Sequence, residues 1–145
     1  MLAVEPQVIE GYVRSGVVKL VFRDVLNHRE RSDHASEAAA CAGQQGYFWE
    51  MHELLFTNQS MVWGTSNDGL LDLMVQFGSQ VEGLDQETYS RCLLERSTLE
   101  KLKASDAEQR SRGITAQPIF EINDQRLYGL QSFETMSVLI EEVLK

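Results

Sequence analysis

Gly113-Ile114-Thr115-Ala116-Gln117-Pro118-Ile119-Phe120 is the stretch on which the reading of this chain turns. Gly113 closes a helix, because glycine takes the left-handed conformation of a C-terminal cap without a Cβ penalty. A strand then opens at Pro118, with the polar Gln117 before it. The proline has two readings. It can open an edge strand, where its missing N–H costs nothing. Alternatively its peptide bond is cis, and the Gln117 amide and carbonyl are then able to pair with an extended peptide.

Downstream, residues 118–122 and 126–128 predict short strands joined by Asn123-Asp124-Gln125 as a tight turn. Phe133, Met136, Ile140 and Val143 then recur at the spacing of an amphipathic helix. Upstream, Ser97-Thr98-Leu99-Glu100 reads as a capping box for the helix that runs to Arg112, with hydroxyl and carboxylate satisfying each other's amides. Residues 88–95, started by Asp85, and residues 70–77 predict two further helices. In residues 47–59, Phe48, Met51 and Leu55 with Trp49 and Phe56 give a broad apolar face. The alanines of residues 35–42 predict a closely packed helix capped by Ser32 or Asp33. Val17-Val18-Lys19-Leu20-Val21-Phe22 is a β-branched run that predicts a mostly buried strand, followed by loop to Ser32. Val4, Val8, Ile9 and Tyr12 recur at helical spacing in the first dozen residues. The order is helix, strand, helical block, hairpin, helix, which is α/β or α+β with a helical insertion.

Composition narrows the function classes. A chain of 145 residues suits one domain and buries roughly two thirds of its unfolded surface without metal or disulfide staples. Its net charge of -9 argues against nucleic acid or an anionic membrane as partner, since both need clustered Lys and Arg. No run approaches the ~18 apolar residues of a membrane span. No basic segment followed by an apolar run marks a signal peptide. No glycine-rich phosphate loop, nucleophile elbow or metal-ligand cluster stands out, so no cofactor and no metal are implied. His52-Glu53-Leu54-Leu55-Phe56 lacks the second histidine of a zinc protease. His28, His34 and His52 read as solvated or core-edge residues, and Trp49 and Trp63 as packing residues.

Four blocks carry a resemblance, in order along the chain. Cys41-Ala42-Gly43-Gln44-Gln45-Gly46-Tyr47-Phe48-Trp49-Glu50-Met51-His52-Glu53-Leu54-Leu55-Phe56 resembles the inserted helical segment of DsbA-like thiol:disulfide oxidoreductases. Gly16-Val17-Val18-Lys19-Leu20-Val21-Phe22-Arg23-Asp24 resembles the strand before that insertion. Residues 113–123 resemble the cis-proline loop and its strand, and residues 129–133 the entry to the last helix. The resemblance implies an α/β, thioredoxin-like (DsbA-like) fold forming one domain over residues 1–145. It implies an inserted helical subdomain over about residues 33–112 and a sheet truncated at its N-terminal side. In the family, a central strand and a Cys-x-x-Cys precede the helix that begins here near Met1, and this sequence starts after both. The residue before the cis-proline is commonly Thr or Val, whereas here it is Gln117.

Dithiol exchange needs two cysteines close enough to close a small ring, the first held as thiolate at a helix N-terminus. Cys41 and Cys92 are 51 positions apart and fall inside predicted helices. They do not replace the motif, so no catalytic residue is assigned, and Gln117 and Pro118 are the expected substrate-docking residues. The two cysteines are read as buried thiols or, by likeness to a second bridge in some DsbA-like proteins, as a structural disulfide between inserted helices. Chain entropy gives about 4 kcal/mol for closing such a loop, in an oxidising compartment.

Without the central strand, a gap of about two strand spacings, ~10 Å, separates residues 17–22 from residues 118–122. Unpaired buried amides are costly, so three outcomes are expected: the strands close up, a second chain contributes, or edges stay exposed. Self-association as a homodimer is the expectation. The expected function is a DsbA-family relative of thiol:disulfide oxidoreductases, inactive in this chain. The alternative is a non-catalytic peptide-binding or dimerising module. Protein or peptide thiols are the partners if a redox motif lies upstream. The compartment follows the same fork, cytoplasmic if Met1 is the natural start and extracytoplasmic if a signal precedes it.

Overall fold

The computed structural model describes residues 4–145. The part of the N-terminal helix expected on residues 1–3 lies outside the described residues. Helix α1 (Glu5–Val8) accepts Pro6 in its first turn, where an N–H has no helical partner in any case. It continues as a π-helical stretch over Ile9–Val13.

The helical block comprises α2 (Glu30–Gly43), α3 (Phe48–Thr57), α4 (Gln59–Gly64), α5 (Leu70–Gly78), α6 (Gln86–Leu94) and α7 (Leu99–Ser111). Two of its boundaries differ from the sequence expectation. Helix α2 starts before Ser32 and Asp33, after a sharp turn at Arg29 (φ 51°), and the Ser32 hydroxyl accepts from the His28 amide at 2.9 Å. The capping box at Ser97 and Glu100 does not form. The chain reverses at Arg96 (φ 50°), which lays Ser97 over the end of α6, where its hydroxyl meets Cys92 Sγ at 3.1 Å. By contrast Asp85 caps α6, its carboxylate accepting from the Thr88 amide at 2.6 Å.

Gly113, at φ 77°, ends α7 as expected, with its N–H donating to Arg110 O and the Ile114 N–H to Gln109 O. Strands β1 (Ile119–Ile122) and β2 (Gln125–Tyr128) form an antiparallel hairpin, Ile119 opposite Tyr128 and Ile122 opposite Gln125. Its turn is two residues long, and Asn123 supplies the positive φ (50°) that such turns need. Helix α8 (Phe133–Val143) follows, capped by Ser132, whose hydroxyl accepts from the Thr135 amide.

Two apolar clusters form. The larger joins α2, α3, α5 and α6 around Met51, Leu70, Met74, Phe77 and Tyr89. Burial pushes the Tyr89 phenol up, and its hydroxyl donates to Met74 O at 2.9 Å. The smaller packs α1 against α8 through Val8, Met136 and Ile140, with Phe120 and Leu127 of the hairpin against it.

Residues 17–22 are not a strand, which corrects the sequence expectation. Their exposure alternates as a strand's does, with Val17 and Val21 half exposed and Val18, Leu20 and Phe22 turned inward. A strand, however, is defined by a neighbour. The sheet among the described residues is the β1–β2 hairpin alone, so the strands have not closed up directly. Instead Phe22 anchors the segment on α3, its ring 4.8 Å from His52, 6.0 Å from Phe48 and 6.5 Å from Phe56.

Candidate functional site: the cleft between the insertion and the hairpin

Where residues 17–22 and β1 fail to meet, a cleft of about 1050 Å³ opens. One wall is residues 20–25, the other residues 116–121, and its floor is supplied by α1, α2 and α3. That volume is at the top of the ~300–1,000 Å³ typical of small-molecule pockets, large enough for a segment of chain.

Gln117 and Pro118 line this cleft, and the bond between them is cis. Pro118 O is taken by the Gly129 amide at 2.9 Å. Ala116 and Gln117 make no main-chain hydrogen bond among the described residues. Neither cysteine lines the cleft. Cys41 of α2 and Cys92 of α6 are joined by a disulfide, Cα atoms 5.9 Å apart, both buried in the larger core. The expected docking residues and the cysteines therefore belong to different parts of the molecule. Helix N-termini, where a reactive thiolate is stabilised, hold neither sulfur.

The floor holds a polar cluster that sequence reading passed over. His52, read as a core-edge residue, is 4% exposed and pairs with Glu5 of α1 at 3.0 Å. Asp24 sits beside them. Burial pushes its carboxyl above the usual range, partly offset by a hydrogen bond from Ser36 and by His52. A signal was present in both cases, a carboxylate two positions after an apolar run and a histidine on an aromatic helix face. Neither signal names its partner.

At one end of the cleft, the Arg31 guanidinium lies 5.7 Å from the Trp63 ring centroid and donates to Thr65 O at 3.0 Å. Trp63, read from the sequence as a packing residue, is 47% exposed and packs its ring against Arg31 and His28 at the surface. At the other end, Glu121 of β1 accepts from Arg112 at 2.7 Å and from Arg126 at 2.9 Å. The Arg112 bond, and then the Arg126 bond, hold its carboxyl below the usual range. This clip ties the end of α7 to the hairpin. Two buried donors in the cleft lining, Arg31 Nε and Gln109 Nε2, have no acceptor among the described residues.

No helix among the described residues is long and apolar enough to cross a membrane. Among them, no group of three or more His, Cys, Asp and Glu is arranged to hold a metal ion.

Comparison with known proteins follows the same outline. A family profile described as Thioredoxin matches residues 2–142. The chain is similar to the Na(+)/H(+) antiporter NhaA 3 of Salinispora tropica, 25% identical over 138 residues, which is 94% of this chain and 20% of the antiporter. It is also similar to the Na(+)/H(+) antiporter NhaA 1 of Salinispora arenicola, 26% identical over 106 residues, 73% of this chain and 15% of that relative. The chain thus spans about a fifth or less of the length of these curated relatives.

Proposed function

The chain belongs to the thioredoxin family, and from that premise we propose that it is a DsbA-like relative of the thiol:disulfide oxidoreductases which performs no dithiol exchange with its own cysteines. One observation carries this reading: both cysteines are used in a buried bridge within the helical block, remote in the fold from the Gln117–Pro118 loop. Exchange needs an accessible thiolate with a resolving thiol beside the substrate-docking loop.

The test is turbidimetric reduction of insulin by dithiothreitol with and without the chain. The expected rate equals that of reductant alone. A rate enhancement that disappears in the Cys41→Ala, Cys92→Ala double variant overturns the reading.

A second reading is favoured by the unpaired main chain along the cleft, and it is a non-catalytic module that binds an extended segment, from another protein or from a second copy of itself. The antiporter relatives support the idea of a module, because each of them is several times longer than the segment that matches.

A further inference from the structure

The cleft carries information about what would enter it. Its two walls lack partners in a regular way. The main chain of residues 19–23 makes no hydrogen bond among the described residues, and the edge of β1 away from β2 is unpaired. Such walls complement a polypeptide backbone, which offers donors and acceptors at the spacing of a strand.

Charge adds a second constraint. Each carboxylate in the lining is already engaged: Glu5 by His52, Glu121 by Arg112 and Arg126, and Asp24 by Ser36. The cations are not all engaged. Arg23 has no ion-pair partner among the described residues, and Arg31 stacks on Trp63 with its Nε unsatisfied. The lining thus sets three carboxylates against Arg23, Arg31 and Arg112, and because the carboxylates and Arg112 are engaged, the charges left open to a ligand are the two arginines.

The third observation is Gln109 of α7. It is 1% exposed, its Oε1 accepts from Arg112 at 2.9 Å, and its Nε2 has no acceptor. A buried orphan amide is costly, of the order of 1–3 kcal/mol, unless something supplies an oxygen. Of the three buried orphan side-chain atoms among the described residues, the two that donate through nitrogen both lie in this lining, and the third, Ser137 Oγ, does not.

We infer that the cleft takes an extended polypeptide segment carrying carboxylate side chains, with Arg23 and Arg31 selecting the charge and Gln109 Nε2 receiving an oxygen of the bound segment. The inference rests on the peptide-binding reading above. The partner is thereby specified by chemistry: apolar residues toward Leu20, Phe22 and Ile119, acidic residues toward the arginines.

The test uses two fluorescein-labelled, end-blocked peptides of about eight residues, the length of a strand, one alternating valine with glutamate and the other valine with lysine. Fluorescence polarisation at low salt is expected to show the acidic peptide binding about tenfold or more tightly than the basic one, with the gap shrinking as salt is added. Arg23→Gln, a change at an exposed residue, is expected to weaken the acidic peptide about threefold to tenfold and leave the basic one unchanged. Gln109→Met is expected to weaken the acidic peptide with an unaltered circular dichroism spectrum, and amide shift changes should fall on residues 20–25 and 116–121. Equal binding of both peptides at these residues overturns the charge assignment while sparing the peptide-binding reading. Binding of neither peptide, or shifts elsewhere, overturns both.

Discussion

The helical block α2–α7 closes on Met51, Leu70, Met74, Phe77 and Tyr89 and is bridged from α2 to α6 by Cys41–Cys92. The side built from α1, the hairpin and α8 closes on Val8, Met136 and Ile140, and it leaves Tyr128, Leu130 and Val138 largely exposed. Free energy scales with apolar area removed from water, so the first half is held by its own core and the second is not to the same degree. The second half depends more on polar ties: Glu5–His52 to α3, and Glu121 to Arg112 and Arg126. An insertion has become the better-packed part of the molecule, and the sheet it interrupts has become the part that needs company.

Three measurements break or sharpen that contrast, from the largest effect to the smallest. Replacing both cysteines by alanine is expected to lower stability by about 4 kcal/mol, the chain-entropy value for a loop of this length, in denaturant titrations. Hydrogen exchange should place the loss in α2 and α6; a loss confined to the hairpin and α8 reverses the ranking of the two halves. Next, Arg96→Met leaves the Glu37 carboxylate, 1% exposed, without the guanidinium that now meets it at 2.6 Å. Breaking a fully buried pair costs 3–5 kcal/mol, and with Arg96 itself about 38% exposed the expected cost is about 2 kcal/mol. A change below the error of a thermal melt shows that this pair adds nothing to the helical half.

The smallest effect concerns Asp24 in the cleft wall and has the opposite sign. Burial raises the Asp24 pKa, so its carboxyl favours folding when protonated. That contribution is complete below the ordinary carboxylate range and is lost as pH rises through the raised value. Asp24→Asn is therefore expected to stabilise the protein at pH 7 by about 1 kcal/mol, with the gain vanishing at pH 3. An equal gain at both values excludes ionisation as its source.

Much of this was legible in local signals. Gly113, Asp85 and the apolar spacing of Phe133, Met136 and Ile140 each marked an element through chemistry that acts within a few residues. The reading of residues 17–22 as a strand failed for the complementary reason, since β-branched residues prescribe a pleat but not a neighbour. Ser97-x-x-Glu100 matched a cap pattern, yet the turn at Arg96 gave the hydroxyl to Cys92 instead. His52 and Gln109 owe their character to groups 47 positions away and to a cleft wall, respectively, and single-sequence spacing holds neither. The cleft as a whole is a property of what does not pair, which no periodicity reports.

The Cys41–Cys92 bridge has a mechanical meaning as well. A chain pulled from its two ends transmits tension through the sulfur–sulfur bond and bypasses the chain between the bridgeheads, which are 51 positions apart. About 170 Å of contour length is thereby withheld from extension. The hairpin, α1 and α8 lie in the force path and would yield first, while α3, α4 and α5 bear no load until the bond is reduced. A thiol reductant thus sets how far this chain can stretch.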